Sequence, residues 1–319
     1  MIPLKLTSAI KDYIWGGTRL STDFSFVSFA DRQAEAWVLS CHPDGESVIE
    51  NGSFKGRTLG DVLKNEGKSY LGTNCEKFDF FPVLIKLIDA KDDLSVQVHP
   101  DDEYALKNEN QYGKTEAWYI LDCDDGAEII YGFKEDLTKD EFEAAIKNNT
   151  LLEKVNRVKV KKGDLFFIES GTLHAICKGI LLAEVQQNSN VTYRVYDYGR
   201  LQNGKPRELH VEKALDVTNL KAIDCSGKPL GQEETFDGYK KTLLTKCELF
   251  TVSRLDVEEK ATVTADETSF VSLVALDGNA VLMHGDSVLT LYKGESIFLP
   301  AGIGEVEILG AVSVLETRV

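Results

Sequence analysis

The sequence predicts a mainly β protein built from two similar β-barrel units, with a few short helices in its N-terminal half. Three observations predict this fold class. Short alternating or continuous apolar runs, each ended by Gly, Pro, Asn or Asp, recur along the chain. One segment of thirteen residues recurs without gaps in the second half. Residues 239–319 contain only strand and turn signals.

Strands are predicted where apolar residues alternate with polar ones or form a short continuous run. One of these runs, Phe81–Ile88, contains the charged residue Lys86, which is costly to bury unless it reaches a polar cavity. The strands predicted in the N-terminal part are Pro3–Ser8, Glu35–Cys41, Phe81–Ile88, Leu94–His99, Thr115–Leu121, Glu128–Phe133, Val155–Val160, Ile180–Asn188 and Val191–Asp197.

Helical signals are fewer. Apolar residues have helical spacing in Thr58–Asn65, and Val211–Leu215 is predicted to form one short turn. Thr138 and Glu141 have the spacing of a capping box at the start of an amphipathic helix, Thr138–Asn149.

Composition and charge limit the partners. The chain has 319 residues, of which 43% are hydrophobic and 28% charged, as in a globular protein with a sizeable core. A net charge of −16 argues against nucleic acid or an anionic membrane as the main partner. An anionic small substrate therefore requires a local cluster of Lys and Arg.

The sequence has no basic N-terminal region followed by an apolar run, and no apolar run long enough to span a bilayer. The cysteines are scattered without a CxxC pair, so we expect reduced thiols and a cytoplasmic location. The six are Cys41, Cys75, Cys123, Cys177, Cys225 and Cys247.

Two neighbouring predicted strands carry polar side chains on one face. Gln97 and His99 are two residues apart, so their side chains point the same way. Pro100 ends that strand, and we expect the following Asn- and Gly-containing segment to be a loop. Lys114 and Glu116 repeat the two-residue spacing at the start of the next strand. This combination predicts a site and not a solvated edge.

The internal repeat aligns Lys162–His174 with Lys293–Glu305. Both copies contain Lys-Gly-acid, an apolar strand, a small-residue turn and then a polar residue, which is His174 in the first copy and Glu305 in the second. Short repeats also arise by chance in β proteins, but thirteen aligned positions favour duplication, with a second copy that lacks the histidine.

The composition shifts to Gly, Pro, Glu and Lys between the two copies. We therefore predict an N-terminal domain with the site at 1–220, a connection at 221–238 and a C-terminal degenerate copy at 239–319. We expect the second copy to serve mainly as structural support.

His99, Glu116 and His174 form a set of two histidines and one carboxylate, to which Gln97 adds an oxygen. Such mixed ligation suits Zn²⁺ in a catalytic site that keeps one position open. The alternative is that each histidine is an ordinary core residue, which fits less well with two histidines and a glutamate at this spacing.

Several motifs together carry a family resemblance. Gly163 to His174, together with Gln97, His99 and Glu116, resembles the two signatures of the cupin (jelly-roll) barrel. More narrowly, five motifs that occur in family order resemble the type I mannose-6-phosphate isomerases in their short bacterial form. They are Tyr13–Gly17 (YIWGG), Leu94–Asp101 (LSVQVHPD), Gly113–Trp118 (GKTEAW), Gly171–Ala175 (GTLHA) and Gln186–Arg200 (QQNSNVTYRVYDYGR).

The resemblance implies two cupin-like barrels and a zinc-dependent interconversion of mannose 6-phosphate and fructose 6-phosphate. A proton would move between C1 and C2 of the open-chain sugar through a cis-enediol(ate). Arg194 matches the catalytic arginine of the family, although an arginine on this Tyr-rich strand could simply pack and pair with Asp197. Lys114 is the main substrate-binding candidate, for the phosphate or for a developing charge, and Lys86 and Ser95 are weaker ones.

Several alternatives stay open. The group that transfers the proton is not determined, and Glu184 and Asp197 are candidates. The chain could instead be a non-catalytic metal-dependent sugar-binding cupin, or another sugar-phosphate isomerase or epimerase. We expect a small sugar phosphate as the partner, no nucleic acid or membrane, and a monomer or homodimer.

Overall fold

The computed structural model describes residues 1–24, 26–224 and 227–319, without the side chain of Lys68. Its described part is mainly β, as predicted, with 23 strands and six short α-helices. The strands are β1 (Leu4–Thr7), β2 (Ala9–Lys11), β3 (Glu35–Leu39), β4 (Val48–Ile49), β5 (Val83–Ala90), β6 (Val96–Val98), β7 (Glu116–Cys123), β8 (Glu128–Phe133), β9 (Val155–Lys159), β10 (Leu165–Ile168), β11 (His174–Ile176), β12 (Ile180–Gln187), β13 (Tyr193–Tyr196), β14 (Leu201–Gln202), β15 (Lys205–Pro206), β16 (Glu233–Phe236), β17 (Tyr239–Lys246), β18 (Thr251–Val257), β19 (Lys260–Ala265), β20 (Val271–His284), β21 (Ser287–Tyr292), β22 (Ser296–Leu299) and β23 (Gly304–Arg318).

The helices lie before residue 218 in the described part of the chain. The α-helices are α1 (Arg19–Thr22), α2 (Leu59–Glu66), α3 (Asp102–Glu109), α4 (Lys139–Lys147), α5 (Leu151–Lys154) and α6 (Val211–Val217), and 3₁₀ turns occur at Gly52–Phe54, Lys68–Tyr70 and Thr73–Cys75. None of the helices described is both long and apolar enough to cross a membrane.

Two sheets form the N-terminal part. A six-stranded sheet has the order β10-β7-β12-β5-β3-β2, and a five-stranded sheet has the order β13-β6-β11-β8-β9. Buried apolar residues from both sheets pack together, among them Trp118 and Leu182 of the first sheet and Ile129 and Ile176 of the second. The two sheets therefore face each other across a common core.

Each sheet has a second apolar layer on its other side. Behind the five-stranded sheet, Phe142 of α4 and Ala214 of α6 join its buried residues. Behind the six-stranded sheet, residues such as Val83 share a core with Phe270 and Phe298 of the C-terminal part. The site-bearing strands are thus held from both sides.

The C-terminal part forms a ten-stranded sheet with the path β16-β17-β18-β23-β20-β22-β1-β4, joined at its side by β19 and β21. The sheet includes β1 and β4 from the start of the chain, because Leu4 pairs with Phe298 and Leu6 with Ile49. The strand content confirms the mainly β class. Because the strand orders of the described sheets are open paths, the description as two barrels stays a prediction. The domain limits at 220, 238 and 239 stay predictions too.

The repeated segments have the same local structure. Both contain a strand at equivalent positions, β10 in the first copy and β22 in the second. Gly163 and Gly294 have φ values of 90° and 87°, and the later turn glycines, Gly171 and Gly302, have 85° and 76°. Positive φ is readily adopted only by glycine, so both turns require it. His174 is buried at the start of β11, whereas Glu305 is exposed on β23.

The expected loop after Pro100 is partly wrong, since residues 102–109 form α3. The side chain of Asp101 accepts a hydrogen bond from the backbone N–H of Tyr104 at 2.9 Å and caps the helix. The helix ends at Asn110, which has a φ of 54°. The sequence of α3 has no apolar stripe that would predict a helix, in agreement with the burial of only one of its residues, Ala105.

The thiols agree with the expectation where they are described. Cys41, Cys75, Cys123, Cys177 and Cys247 are free. Cys225 lies outside the described residues, as does Ser226 in the predicted connection. The rest of that connection includes β16, which pairs with β17.

The predicted capping box at α4 is present and generates a stability prediction. Thr138 accepts from the N–H of Glu141, and the Glu141 carboxylate accepts from the N–H of Thr138. Thr138→Ala should therefore lower the free energy of unfolding by about 1 kcal/mol, measured by urea denaturation. Thr150→Ala is the matched control, because Thr150 precedes α5 without a side-chain capping bond. Equal losses in the two variants would contradict the capping role.

Candidate active site

The predicted polar residues meet at one end of the space between the two sheets. Gln97 lies at the middle of β6, between His174 of β11 on one side and Arg194 of β13 on the other. His99 directly follows β6, and Glu116 begins β7 in the facing sheet. The site therefore depends on three strands of one sheet and one strand of the other.

His99, Glu116 and His174 form a compact cluster that is fully buried. Their potential ligand atoms all lie within 4.8 Å of one another. The Nε2 atom of His99 is 3.3 Å from Oε1 of Glu116, and the Nε2 atom of His174 is 3.8 Å from Oε2. This spacing allows one ion to contact all three side chains.

Hydrogen bonds fix both histidines with Nε2 towards the glutamate. His99 donates from Nδ1 to the carbonyl of Val191 at 2.7 Å, and His174 donates from Nδ1 to the carbonyl of Thr172 at 2.8 Å. A proton on Nδ1 leaves a lone pair on Nε2 of the neutral ring. Metal-binding histidines commonly have such a backbone partner on the other nitrogen.

The electrostatics of the cluster also fit a cation. Burial lowers the pKa of His99 to about 3, with a further contribution from Lys114, and burial lowers the pKa of His174. Burial acts to raise the pKa of Glu116, but Lys114 and the histidines outweigh it and hold that pKa well below its ordinary value. The site thus presents neutral imidazoles and a carboxylate, the protonation states that bind metal.

Glu116 has unmet acceptor capacity. It is 0% exposed, and among the described residues neither carboxylate oxygen accepts a hydrogen bond of normal geometry, although Lys114 makes an ion pair with it. A buried carboxylate with open lone pairs is costly unless a cation satisfies it. The residues present therefore fit a divalent metal ion.

Gln97 borders the same cluster. Its amide nitrogen is 3.5 Å from Nε2 of His174, and its amide oxygen accepts from the hydroxyl of Ser95 at 3.4 Å. The two ends of an amide are assigned from such networks, and a 180° rotation of the group exchanges them. The rotated amide directs its oxygen towards the cluster, as a fourth ligand requires.

A polar cavity of about 290 Å³ opens beside the cluster. Tyr13 and Trp15, from the motif Tyr13–Gly17, line it. The predicted residues Lys86, Ser95, Gln97, Lys114 and Arg194 also line it, together with Glu35, Ile88, Leu94, Ile176, Glu184, Asn190, Thr192 and Arg207.

Lys86 reaches this cavity from within β5. Its ammonium lies 3.1 Å from Glu184 and 3.5 Å from Glu35. Burial acts to lower the pKa of Lys86, but these carboxylates outweigh it and raise that pKa. Trp118 donates to the other oxygen of Glu184 at 3.0 Å. Burial and the charge of Glu116 raise the pKa of Glu184.

Arg194 lines the opposite side of the cavity. Its Nε donates to Ser95 Oγ at 3.2 Å and its Nη1 to the carbonyl of Glu208 at 2.9 Å. Asp197 does not pair with Arg194 as the sequence alternative suggested; it binds Arg207, at 2.8 Å from Nε, and also Arg200. Burial and the positive charge of Arg207 lower the pKa of Arg194. The two guanidinium groups therefore repel each other.

Arg207 was missed by the sequence reasoning. It follows the short hairpin of β14 and β15, and the only signal was a basic residue in the run Lys205–Arg207. The other histidines lie elsewhere: His42 contacts Gln111, and His284 contacts the backbone of Glu305. His210 pairs with the backbone of Arg194.

Known proteins are similar to this chain over most of its length. Residues 3–129 match the family model "Phosphomannose isomerase type I, catalytic domain", and residues 239–319 match "Mannose-6-phosphate isomerase, cupin domain". The chain is 40% identical over 310 residues to mannose-6-phosphate isomerase ManA of Bacillus subtilis, covering 97% of this chain and 96% of that one. It is 38% identical to mannose-6-phosphate isomerase of Streptococcus mutans, covering 98% of both chains.

A solved structure is similar over the whole length. The crystal structure of mannose 6-phosphate isomerase from Bacillus subtilis superposes with a TM-score of 0.93 at 39% sequence identity, covering 100% of each chain.

The cluster geometry predicts metal binding. Metal analysis of the purified protein should find about one divalent ion per chain, as one site with three protein ligands requires. The double variant His99→Ala, His174→Ala should lose this metal, because only Glu116 of the three ligands remains. His284→Ala, outside the cluster, should retain it. Unchanged metal content in the double variant would refute the assignment.

Proposed function

This chain belongs to the type I mannose-6-phosphate isomerase family, and from this premise we propose that it interconverts mannose 6-phosphate and fructose 6-phosphate with a bound zinc ion. The observation that best supports the proposal is the buried cluster of His99, Glu116 and His174 beside a cavity lined by Lys and Arg. With an overall charge of −16, an anionic substrate requires such a local cluster of cations.

Zinc is the metal that the donor set favours, since two imidazoles and a carboxylate are typical ligands of catalytic zinc. His99, Glu116 and His174 would hold it, with Gln97 as a fourth ligand. When bound, zinc would supply positive charge next to the sugar oxygens, either as a Lewis acid or by orienting the substrate.

The reaction moves one proton from C2 to C1 and one from O2 to O1. The C2–H bond of open-chain mannose 6-phosphate breaks, a base takes the proton, and the electron pair forms the C1=C2 bond of a cis-enediol(ate) while O1 gains a proton. Return of a proton to C1, with loss of the proton on O2 to form the C2 carbonyl, gives fructose 6-phosphate. Negative charge develops on the sugar oxygens in between, so fixed cations stabilise the transition state more than the ground state.

Lys114 is suited to that developing charge. Its ammonium is 3.3 Å from Nε2 of His99 and contacts Glu116, so it lies at the metal end of the cavity. This position favours the developing charge over the phosphate among the two roles considered for it. Of the two candidates for proton transfer, Glu184 lines the cavity, whereas Asp197 is engaged with Arg200 and Arg207.

The phosphate is assigned to the arginine side. Arg194 is linked through Ser95 to Gln97, and beyond it lies Arg207, which Asp197 holds in place. Two neighbouring guanidinium groups repel each other until an anion lies between them, and their N–H groups match phosphate oxygens. Arg194 is proposed to serve both the phosphate and the enediolate, and Arg207 the phosphate alone.

The remaining assignments follow the same proposal. We retain two cupin-like barrels, with a catalytic domain at 1–220, a connection at 221–238 and a C-terminal domain at 239–319. We expect cytoplasmic action as a monomer or homodimer on a small sugar phosphate, with Lys86 and Ser95 contributing to its binding.

The activity is tested by a coupled assay with a substrate panel. Mannose 6-phosphate should be converted to fructose 6-phosphate, with a turnover that is lost after chelation of the metal and restored by zinc. Binding without conversion would favour a sugar-binding protein. Conversion of a different sugar phosphate at a higher kcat/KM would favour another isomerase or epimerase.

The two arginines should differ in their kinetics. Arg194→Ala should lower kcat by on the order of 100-fold, as expected for the loss of a donor to a developing anion. Arg207→Ala should chiefly raise KM, because phosphate binding contributes to ground state and transition state alike. Both should keep the wild-type metal content. Arg194→Ala should also keep the wild-type melting curve, whereas Arg207→Ala removes one of the two arginines that pair with Asp197 and should melt at a lower temperature.

The control for both variants is Arg157→Ala, on the distant strand β9, where the side chain is 41% exposed. A wild-type kcat in Arg194→Ala, with an unchanged melting curve, would remove Arg194 from the catalytic groups.

A further inference from the structure

We propose that Gln187 and Asp102 act as positioning residues, forming a hydrogen-bonded pair that holds the segment 113–115 and with it the side chain of Lys114. The inference rests on the proposed function, because Lys114 is assigned there to the developing charge. The segment lies immediately before β7, so its placement also sets the start of the strand that carries Glu116.

Four hydrogen bonds hold the backbone of this segment. Gly113 donates its N–H to Oδ1 of Asp102 at 2.7 Å, and Lys114 donates its N–H to the carbonyl of Pro100 at 3.0 Å. Thr115 donates its N–H to Oε1 of Gln187 at 3.0 Å, and the N–H of Gln187 donates to the carbonyl of Thr115 at 3.2 Å. The segment is therefore fixed on both sides of Lys114.

A fifth bond closes these contacts into one network. The amide nitrogen of Gln187 donates to Oδ1 of Asp102 at 2.8 Å. The pair thus joins the start of α3, the end of β12 and the segment before β7. Gln187 is 3% exposed, so little solvent competes for these bonds.

The chemistry of the pair requires an amide at position 187. Asp102 only accepts hydrogen bonds, so its partner must donate, while the N–H of Thr115 needs an acceptor. A glutamine side chain supplies one of each. Glutamate at the same position would still accept from Thr115 but would repel Asp102.

The segment also lies unusually close to its neighbours. A Cβ atom built at Gly113 would be 2.4 Å from the carbonyl carbon of Asp101. Glycine is thus required for the approach that brings the Gly113 N–H to Asp102. Lys114 is anchored in a fixed backbone and not in a mobile loop.

The same turn after β12 reaches the other side of the site. The amide of Gln186 donates to the carbonyls of Gln187 and Ser189, each at 2.7 Å. The carbonyl of Val191 then accepts from Nδ1 of His99. The turn at 186–191 therefore orients His99 as well as the Lys114 segment.

The test is a double-mutant cycle with Gln187→Glu, Asp102→Asn and the double variant. Gln187→Glu should lower kcat by about tenfold to 100-fold, the usual cost of losing a residue that orients a ligand or catalytic group. KM should change less than threefold, because the pair does not touch the cavity that binds the substrate. Adding Asp102→Asn removes the repulsion and supplies a donor, so the double variant should recover at least part of kcat.

Hydrogen exchange gives a readout that does not depend on turnover. In Gln187→Glu, amide exchange at Gly113 and Thr115 should be at least tenfold faster, and the double variant should reverse this. The matched control is Asn156→Asp, which replaces an amide that donates to the carbonyls of Phe133 and Ile223 on a distant strand. Asn156→Asp should leave exchange at 113–115 and kcat unchanged.

The outcomes separate the two proposals. If the wild type does not isomerise mannose 6-phosphate, the proposed function fails, and the exchange rates alone decide whether the pair holds the segment. If the wild type is active and Gln187→Glu keeps its kcat, or if exchange at 113–115 is unchanged, the positioning role is overturned. Equal loss of kcat in Asn156→Asp would also overturn it, since the effect would then be general destabilisation.

Discussion

The site depends on one buried charge, the carboxylate of Glu116. An isolated carboxylate with no exposure to water is strongly unfavourable, so its neighbours must compensate for it. Lys114 does so as its ion-pair partner, and the neutral rings of His99 and His174 lie where one cation can contact them and Glu116 together. These three residues come from separate places in the chain: the segment before β7, the position directly after β6 and the start of β11. Correct pairing of both sheets is needed to bring them together. The fold of the N-terminal part and the chemistry of its cavity are therefore set by the same contacts.

Paired buried charges also explain how an acidic chain builds a cationic cavity. Lys86 is compensated by Glu184 and Glu35, and Arg207 by Asp197. In each case the carboxylate stabilises the cation and fixes its direction, while the cation still lines the cavity. Breaking one partner of such a pair leaves an uncompensated charge in the interior, which costs several kcal/mol.

Much of this arrangement follows from sequence periodicity. Two-residue spacing on predicted strands was enough to put Gln97 with His99 and Lys114 with Glu116, and the repeated glycine turn identified His174. Local patterns do not record which strands pair or what approaches from distant turns. Arg207 is held at the cavity by its contact with Asp197. Helix α3 buries only Ala105, so it needs no apolar stripe that the sequence could have shown. The membership of β1 in the C-terminal sheet is equally a matter of long-range pairing.

The two copies of the glycine turn show what local sequence does determine. Their backbone conformations agree, but the residue after the turn has different surroundings: His174 pairs with Gln97, and Glu305 with Thr264 on an exposed edge. The second copy contributes apolar surface instead. Phe270 and Phe298 contact Phe81 with ring centroids 5.3 and 6.4 Å apart, directly before the strand that carries Lys86. A segment with the same turn can thus lack the histidine and still belong to a part of the chain that packs behind the site-bearing sheet, because packing behind β5 requires only apolar volume.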